Sequence, residues 1–95
     1  MDEYYCVYIM TNEANTVLYT GFASDLKARV YAHREKLVAG FTKRYNVVRL
    51  VYYEACGSRD GALWREKQLK AGSRRKKMEL IDGMNPKWKD LYETL

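Results

Sequence analysis

The chain contains no apolar run long enough to cross a membrane, and no stretch is built like a signal peptide. Its two cysteines, Cys6 and Cys56, lie far apart, and neither has a Cys-x-x-Cys partner, which speaks against zinc. No linker, internal repeat or low-complexity segment interrupts it. These absences predict one reduced, cytoplasmic domain spanning residues 1–95, with free thiols. A chain this short buries a modest core and must use its apolar residues economically.

What is present narrows the class further. Hydrophobic residues make up 47% of the chain, enough to fold and too many for a disordered segment. Nine tyrosines are the compositional oddity, because each packs like an aromatic yet carries a hydroxyl that needs a partner. A net charge of +5 and a pI of about 9.2 favour a polyanionic partner, nucleic acid before an anionic membrane surface.

Residue patterns predict the order β-β-α-β-α-α. Tyr4 to Met10 is rich in β-branched and aromatic residues and reads as a strand. A polar turn from Thr11 to Thr16 leads into a second strand, Val17 to Gly21. Ser24 or Asp25 caps a helix running to about Val38, with Gly40 at its end. Gly40 to Tyr45 is a basic, aromatic loop, and Val47 to Glu54 is a third strand. Ser58 opens a helix over Arg59 to Lys70, which Ala71-Gly72 breaks. Ser73 caps the next helix, and Gly83 ends it. Pro86 begins a short last helix, Lys87 to Glu93. The expected fold class is α+β, a three-stranded antiparallel sheet flanked by helices.

Polar residues on apolar faces carry the functional signal. At about 100° per residue, Leu26, Val30 and Leu37 form one stripe of the first helix, with His33 inside it and Arg29 at its edge. Ala62, Leu63 and Leu69 form the inner stripe of the second helix, with Glu66 between them. An inward Glu needs a cation, either a bound metal or an ion-pair partner such as Arg29. A four-residue hairpin loop over Asn12 to Asn15 would set Met10 opposite Val17 and Tyr8 opposite Tyr19. Taken separately, these are a core-edge His, a buried salt bridge and a cross-strand tyrosine pair. Together they put two phenols, an Arg, a His and a Glu against one sheet face. That set suits phosphoryl chemistry: a carboxylate for a hard cation, a guanidinium for phosphate charge, and a phenol or imidazole to move a proton.

In this respect the chain resembles the GIY-YIG nucleases. Val7-Tyr8-Ile9 and Tyr19-Thr20-Gly21 are similar to the family's two tyrosine motifs. Arg29 and His33 match its following Arg and His, Glu66 its later Glu, and Asn85 its final Asn. The resemblance covers almost the whole chain. It extends to the small stand-alone bacterial members, similar to the nuclease domain of the excision-repair protein UvrC, through Gly40 to Tyr45, Arg65 to Gln68 and the Met84 to Leu91 segment. Cys6 or Val7 stands where the first motif usually has Gly and Ile, and Thr20 replaces the middle residue of the second. Neither departure removes a reactive group.

The resemblance implies a metal-dependent endonuclease that hydrolyses one phosphodiester strand of nucleic acid, with DNA ahead of RNA. Glu66 would hold one Mg²⁺ or Mn²⁺, Tyr8 would take the proton of the attacking water, and Tyr19 would orient water or phosphate. Arg29 and His33 would supply charge, and Asn85 would position a loop or contact the metal's shell. Lys43, Arg44, Lys67, Lys70, Arg74, Arg75, Lys76 and Lys77 are candidates for gripping the backbone without reading bases. Trp64 and Trp88 are expected in the core, with base stacking as the alternative. Two other readings stay open: a nucleic-acid-binding module with little or no cutting, and a partner-binding protein that keeps only the fold.

Overall fold

A continuous buried run builds the centre of the sheet. In the computed structural model, which describes residues 5–95, strand β1 spans Tyr5–Thr11. From Cys6 to Thr11 it is buried on both faces, as a strand enclosed between two helical layers requires. Tyr4, the expected start of this strand, lies outside the described residues. Strand β2, Leu18–Ala23, and strand β3, Arg49–Cys56, both pair antiparallel to β1, giving the sheet order β2-β1-β3. Helix α1 spans Leu26–Arg34, the one-turn α2 Phe41–Arg44, α3 Arg59–Ala71 and α4 Arg74–Met84. The α+β class and the order β-β-α-β-α-α hold, with α2 as one added turn.

The two sheet faces pack different helices. Cys6, Tyr8 and Met10 meet Leu26 and Val30 of α1 on the first face. On the second, Val7 packs with Ala62 and Leu69 of α3, and Ile9 with Ile81 of α4. No helix among the described residues is long and apolar enough to cross a membrane.

The hairpin register differs from expectation by two residues. Met10 faces Tyr19 and Tyr8 faces Gly21, because the loop runs from Asn12 to Val17. The Asn12 side chain accounts for the extra length: its oxygen accepts from the backbone of Thr16 and Val17 at 2.9 and 3.1 Å, and its amide donates to the Thr16 hydroxyl at 2.8 Å. An even shift leaves every side chain on its face. Tyr8 and Tyr19 therefore share the α1 face as diagonal neighbours rather than a direct pair, with ring centroids 6.3 Å apart.

Helix α1 also ends earlier than expected. Lys36, at φ 57°, takes the left-handed position, its N–H bonding the His33 carbonyl and that of Leu37 the Ala32 carbonyl. This is a Schellman ending made without glycine. The helix therefore never reaches Leu37, which stands 70% exposed and leaves the expected stripe. Beyond it, Gly40 at φ 102° turns the chain into α2.

The C-terminal segment is not the expected helix from Lys87 to Glu93. Trp88 adopts φ 51°, and only Tyr92–Thr94 forms a 3₁₀ turn. Asn85 explains the path. A bulge leaves Val51 unpaired between Ile9↔Tyr52 and Met10↔Leu50. The Asn85 amide donates to the Val51 carbonyl at 3.1 Å and to the Lys89 carbonyl at 2.8 Å, while its oxygen accepts from the Lys89 N–H at 3.0 Å. Arg34 then clamps the segment through Asp90 at 3.0 Å and lies over the Tyr92 ring.

Candidate active site

Strand β1 delivers Tyr8, fully buried, to the α1 face. Its phenol passes directly over β2: a Cβ on the opposing Gly21 would sit 2.6 Å from the Tyr8 hydroxyl oxygen. The glycine of Tyr19-Thr20-Gly21 thus makes room for the tyrosine of the first motif.

Helix α1 supplies His33 from the stripe of Leu26 and Val30, and it too is buried. The Tyr8 hydroxyl lies 2.9 Å from His33 Nε2, and His33 Nδ1 lies 3.0 Å from the Thr42 hydroxyl on α2. Tyr19 closes the group, its ring edge-on to His33 at 5.4 Å. Thr42 was not singled out in the sequence, since Gly40 to Tyr45 reads there as a loop. The one available signal is a small polar residue between Phe41 and Lys43; one helical turn buries it against the imidazole.

Burial raises the Tyr8 hydroxyl far above the usual phenol range, and Tyr19 and Glu66 add to the rise, while the charge of Arg29 opposes it. Burial, then Arg29, lowers His33, so the imidazole is neutral at pH 7. Glu66 is close enough to Tyr8 for its charge to be felt there, and its side chain is only 17% exposed. It pairs with Lys70 at 3.4 Å, one turn along α3. The Glu–Arg pair between strand and helix is instead Glu54 with Arg65 at 2.6 Å, joined by the Tyr52 hydroxyl.

Tyr8, Tyr19, Arg29 and His33 thus come together at α1, whereas Glu66 lies on a helix that packs the other sheet face and reaches Tyr8 through its charge, a departure from the single face expected. Asn85 is bound into the Val51 and Lys89 staple, on the strand and helix side facing α4. Lys43 and Arg44 sit on α2, beside the site. The Arg74–Lys77 run lies on α4, across the sheet from Tyr8. Within it Arg75 pairs with Glu79 at 3.4 Å, and Arg74 donates to the Asn15 carbonyl. Trp64 departs from the core expectation: it stands 69% exposed on α3. Trp88 packs against the Ile9 and Val51 cluster and donates its indole N–H to Asp82. Both cysteines are free thiols.

The family model described as the GIY-YIG catalytic domain matches residues 4–79. The chain belongs to the GIY-YIG family. A UPF0213 protein of Staphylococcus saprophyticus is 37% identical over 81 residues, covering 85% of this chain and 96% of its own. One from Haloquadratum walsbyi is 35% identical over 82 residues, covering 86% of this chain and 91% of its own. The solution structure of a UPF0213 protein from Bacillus halodurans superposes with a TM-score of 0.57 at 29% identity, over 92% of each chain. Membership in a GIY-YIG nuclease family implies a nucleic-acid substrate.

Proposed function

We propose that this GIY-YIG domain is a metal-dependent endonuclease that cuts one phosphodiester strand, DNA being the substrate put forward. The observation that carries the proposal is the Tyr8–His33 hydrogen bond, formed beside Arg29 and within the field of Glu66. Among the described residues no group of three or more His, Cys, Asp or Glu can cage a metal. A single half-buried carboxylate suits a hydrated Mg²⁺ or Mn²⁺ that keeps waters and shares phosphate oxygens. Glu66 is the residue to hold it, exchanging the Lys70 ammonium for the ion. When bound, such an ion neutralises charge on the phosphate and the leaving oxygen.

The remaining chemistry belongs to the chain's own groups. A phenol raised this far is protonated at neutral pH, so Tyr8 accepts the water proton only as its own proton leaves. The acceptor is His33 Nε2, 2.9 Å away. With His33 neutral, an open Nε2 places the ring proton on Nδ1, where it donates to the Thr42 hydroxyl. Arg29 lies beside this couple and is suited to balance the negative charge of the attacked phosphate. Tyr19, held edge-on to His33, keeps the imidazole from swinging.

The Glu66–Lys70 pair favours a second reading, a binding module that does not cut, since it already satisfies the carboxylate. Cleavage of labelled plasmid and branched DNA in Mg²⁺, Mn²⁺ or EDTA, with Glu66→Ala alongside, separates the two. Metal-dependent cutting abolished by Glu66→Ala supports the nuclease. Binding with no product under any of these conditions supports the module.

A further inference from the structure

Three aromatic rings run outward from the candidate site in an unbroken series. Tyr19, edge-on to His33, is stacked on Phe41 with centroids 6.1 Å apart and planes 25° from parallel. Phe41 contacts Tyr45 at 4.8 Å, one turn along α2, and the Arg44 guanidinium lies over the Tyr45 ring at 5.4 Å. Packing on Tyr19 does not cover the two outer rings. Here Phe41 remains 47% exposed and Tyr45 42% exposed, although each already touches its neighbour. Four residues, Phe41 to Arg44, form an isolated turn beginning at a glycine, so the chain bends to present them.

Resting on the nuclease reading, we propose that Phe41 and Tyr45 form a stacking platform for an unpaired base next to the phosphate handled at Tyr8 and His33. The site thereby selects single-stranded or locally unpaired nucleic acid over intact duplex. Base stacking needs exposed π-faces beside cationic groups, and Lys43 and Arg44 supply that charge on the same turn. In a duplex the flanking base is already stacked on its neighbours and has no face to offer. Beyond Tyr45 lies a cleft of about 460 Å³, lined also by Lys36, Asn46 and the Glu13 carboxylate.

The test is equilibrium binding by fluorescence anisotropy in EDTA, so that no cutting enters the signal. The probes are a labelled twelve-residue oligo-dT, an abasic strand of equal length and charge, and a duplex of that length. Wild-type protein is expected to bind oligo-dT at least about tenfold more tightly than the abasic strand or the duplex. Phe41→Leu and Tyr45→Leu keep apolar bulk but remove the ring. Each is expected to weaken oligo-dT binding about tenfold while moving duplex binding less than about twofold. Phe41→Trp is expected to preserve the preference. Equal affinity of the wild-type protein for oligo-dT and the abasic strand overturns the proposal without recourse to any variant. So does a Phe41→Leu protein of unchanged melting temperature that still prefers oligo-dT. Ring-dependent binding by a protein that never cuts would leave the platform standing and remove the nuclease; cutting with no ring dependence would do the reverse.

Discussion

The two faces of the sheet carry buried polar groups of opposite kinds. On the α4 face, every polar group of the Asn85 side chain has a backbone partner, and the Glu54 carboxylate accepts from both Tyr52 and Arg65. There, burial and the adjacent Glu54 carboxylate push Tyr52 up to about 12, while the bonds from Arg65 and Tyr52 outweigh burial and hold Glu54 below its ordinary value. On the α1 face, Tyr8, His33 and Thr42 form a chain of side chains bonded to one another, with the Arg29 and Glu66 charges felt at Tyr8 and the exposed aromatics beyond Tyr19. A closed network specifies structure. Buried side chains bonded only to one another, with shifted proton affinities, are where the proposed proton transfer is placed.

The sharpest way to break this contrast is to cut one bond on each face. Tyr8→Phe keeps the ring and is expected to lower the cleavage rate by about 10²- to 10⁴-fold. Asn85→Ala orphans the Val51 carbonyl and both Lys89 backbone groups, and is expected to cost about 3 kcal/mol of stability in urea unfolding. Its folded fraction should cut within about tenfold of wild type. Swapped outcomes, with Asn85→Ala inactive yet fully stable, would show that the α4 face takes part in the chemistry.

Gly21→Ala probes the spacing between β2 and the phenol. The new methyl meets a fully buried Tyr8 hydroxyl at 2.6 Å, so overpacking should cost about 1–3 kcal/mol and displace the ring. Cleavage should fall at least about tenfold, whereas Gly83→Ala, with open space around its Cβ, should leave activity alone. Thr42→Val removes the hydroxyl on His33 Nδ1 at nearly constant volume. A loss of about tenfold, recovered by Thr42→Ser, would mark Thr42 as the residue that orients the imidazole. No recovery with Ser would reduce it to packing.

A smaller effect concerns pH. The folded protein holds His33 below its unfolded value of about 6.5. The unfolded chain therefore binds that proton more readily. Stability contributed by neutral His33 is complete above about pH 6.5 and declines as pH falls from there toward the folded value. His33→Gln should flatten that part of the stability curve in urea titrations between pH 7 and 5; an unchanged slope would assign the acid sensitivity elsewhere.

Most of the candidate site's arrangement was legible in sequence because its residues sit at helical and strand periods that tolerate local error. The two-residue hairpin slip left Tyr8 and Tyr19 on one face, and a helix shortened to Arg34 still carries Arg29 and His33. What escaped depended on long-range or unusual backbone. Asn12 lengthened the hairpin through its side chain, and Lys36 ended α1 where no glycine stood. Thr42 gained meaning only when α2 folded onto His33, 9 residues away. The Arg74–Lys77 run has the composition of a phosphate grip, but composition does not say which face of the sheet a helix occupies.

The proton path from Tyr8 to His33 is most directly tested by the single-turnover rate of metal-dependent strand cutting, followed from pH 5 to 10 for wild type and Tyr8→Phe. The wild-type rate should rise with unit slope as His33 loses its proton and level by about pH 7, and it should collapse across the whole range in Tyr8→Phe. A wild-type rate still climbing toward pH 10, or a Tyr8→Phe protein that cuts as well as wild type, would contradict that path.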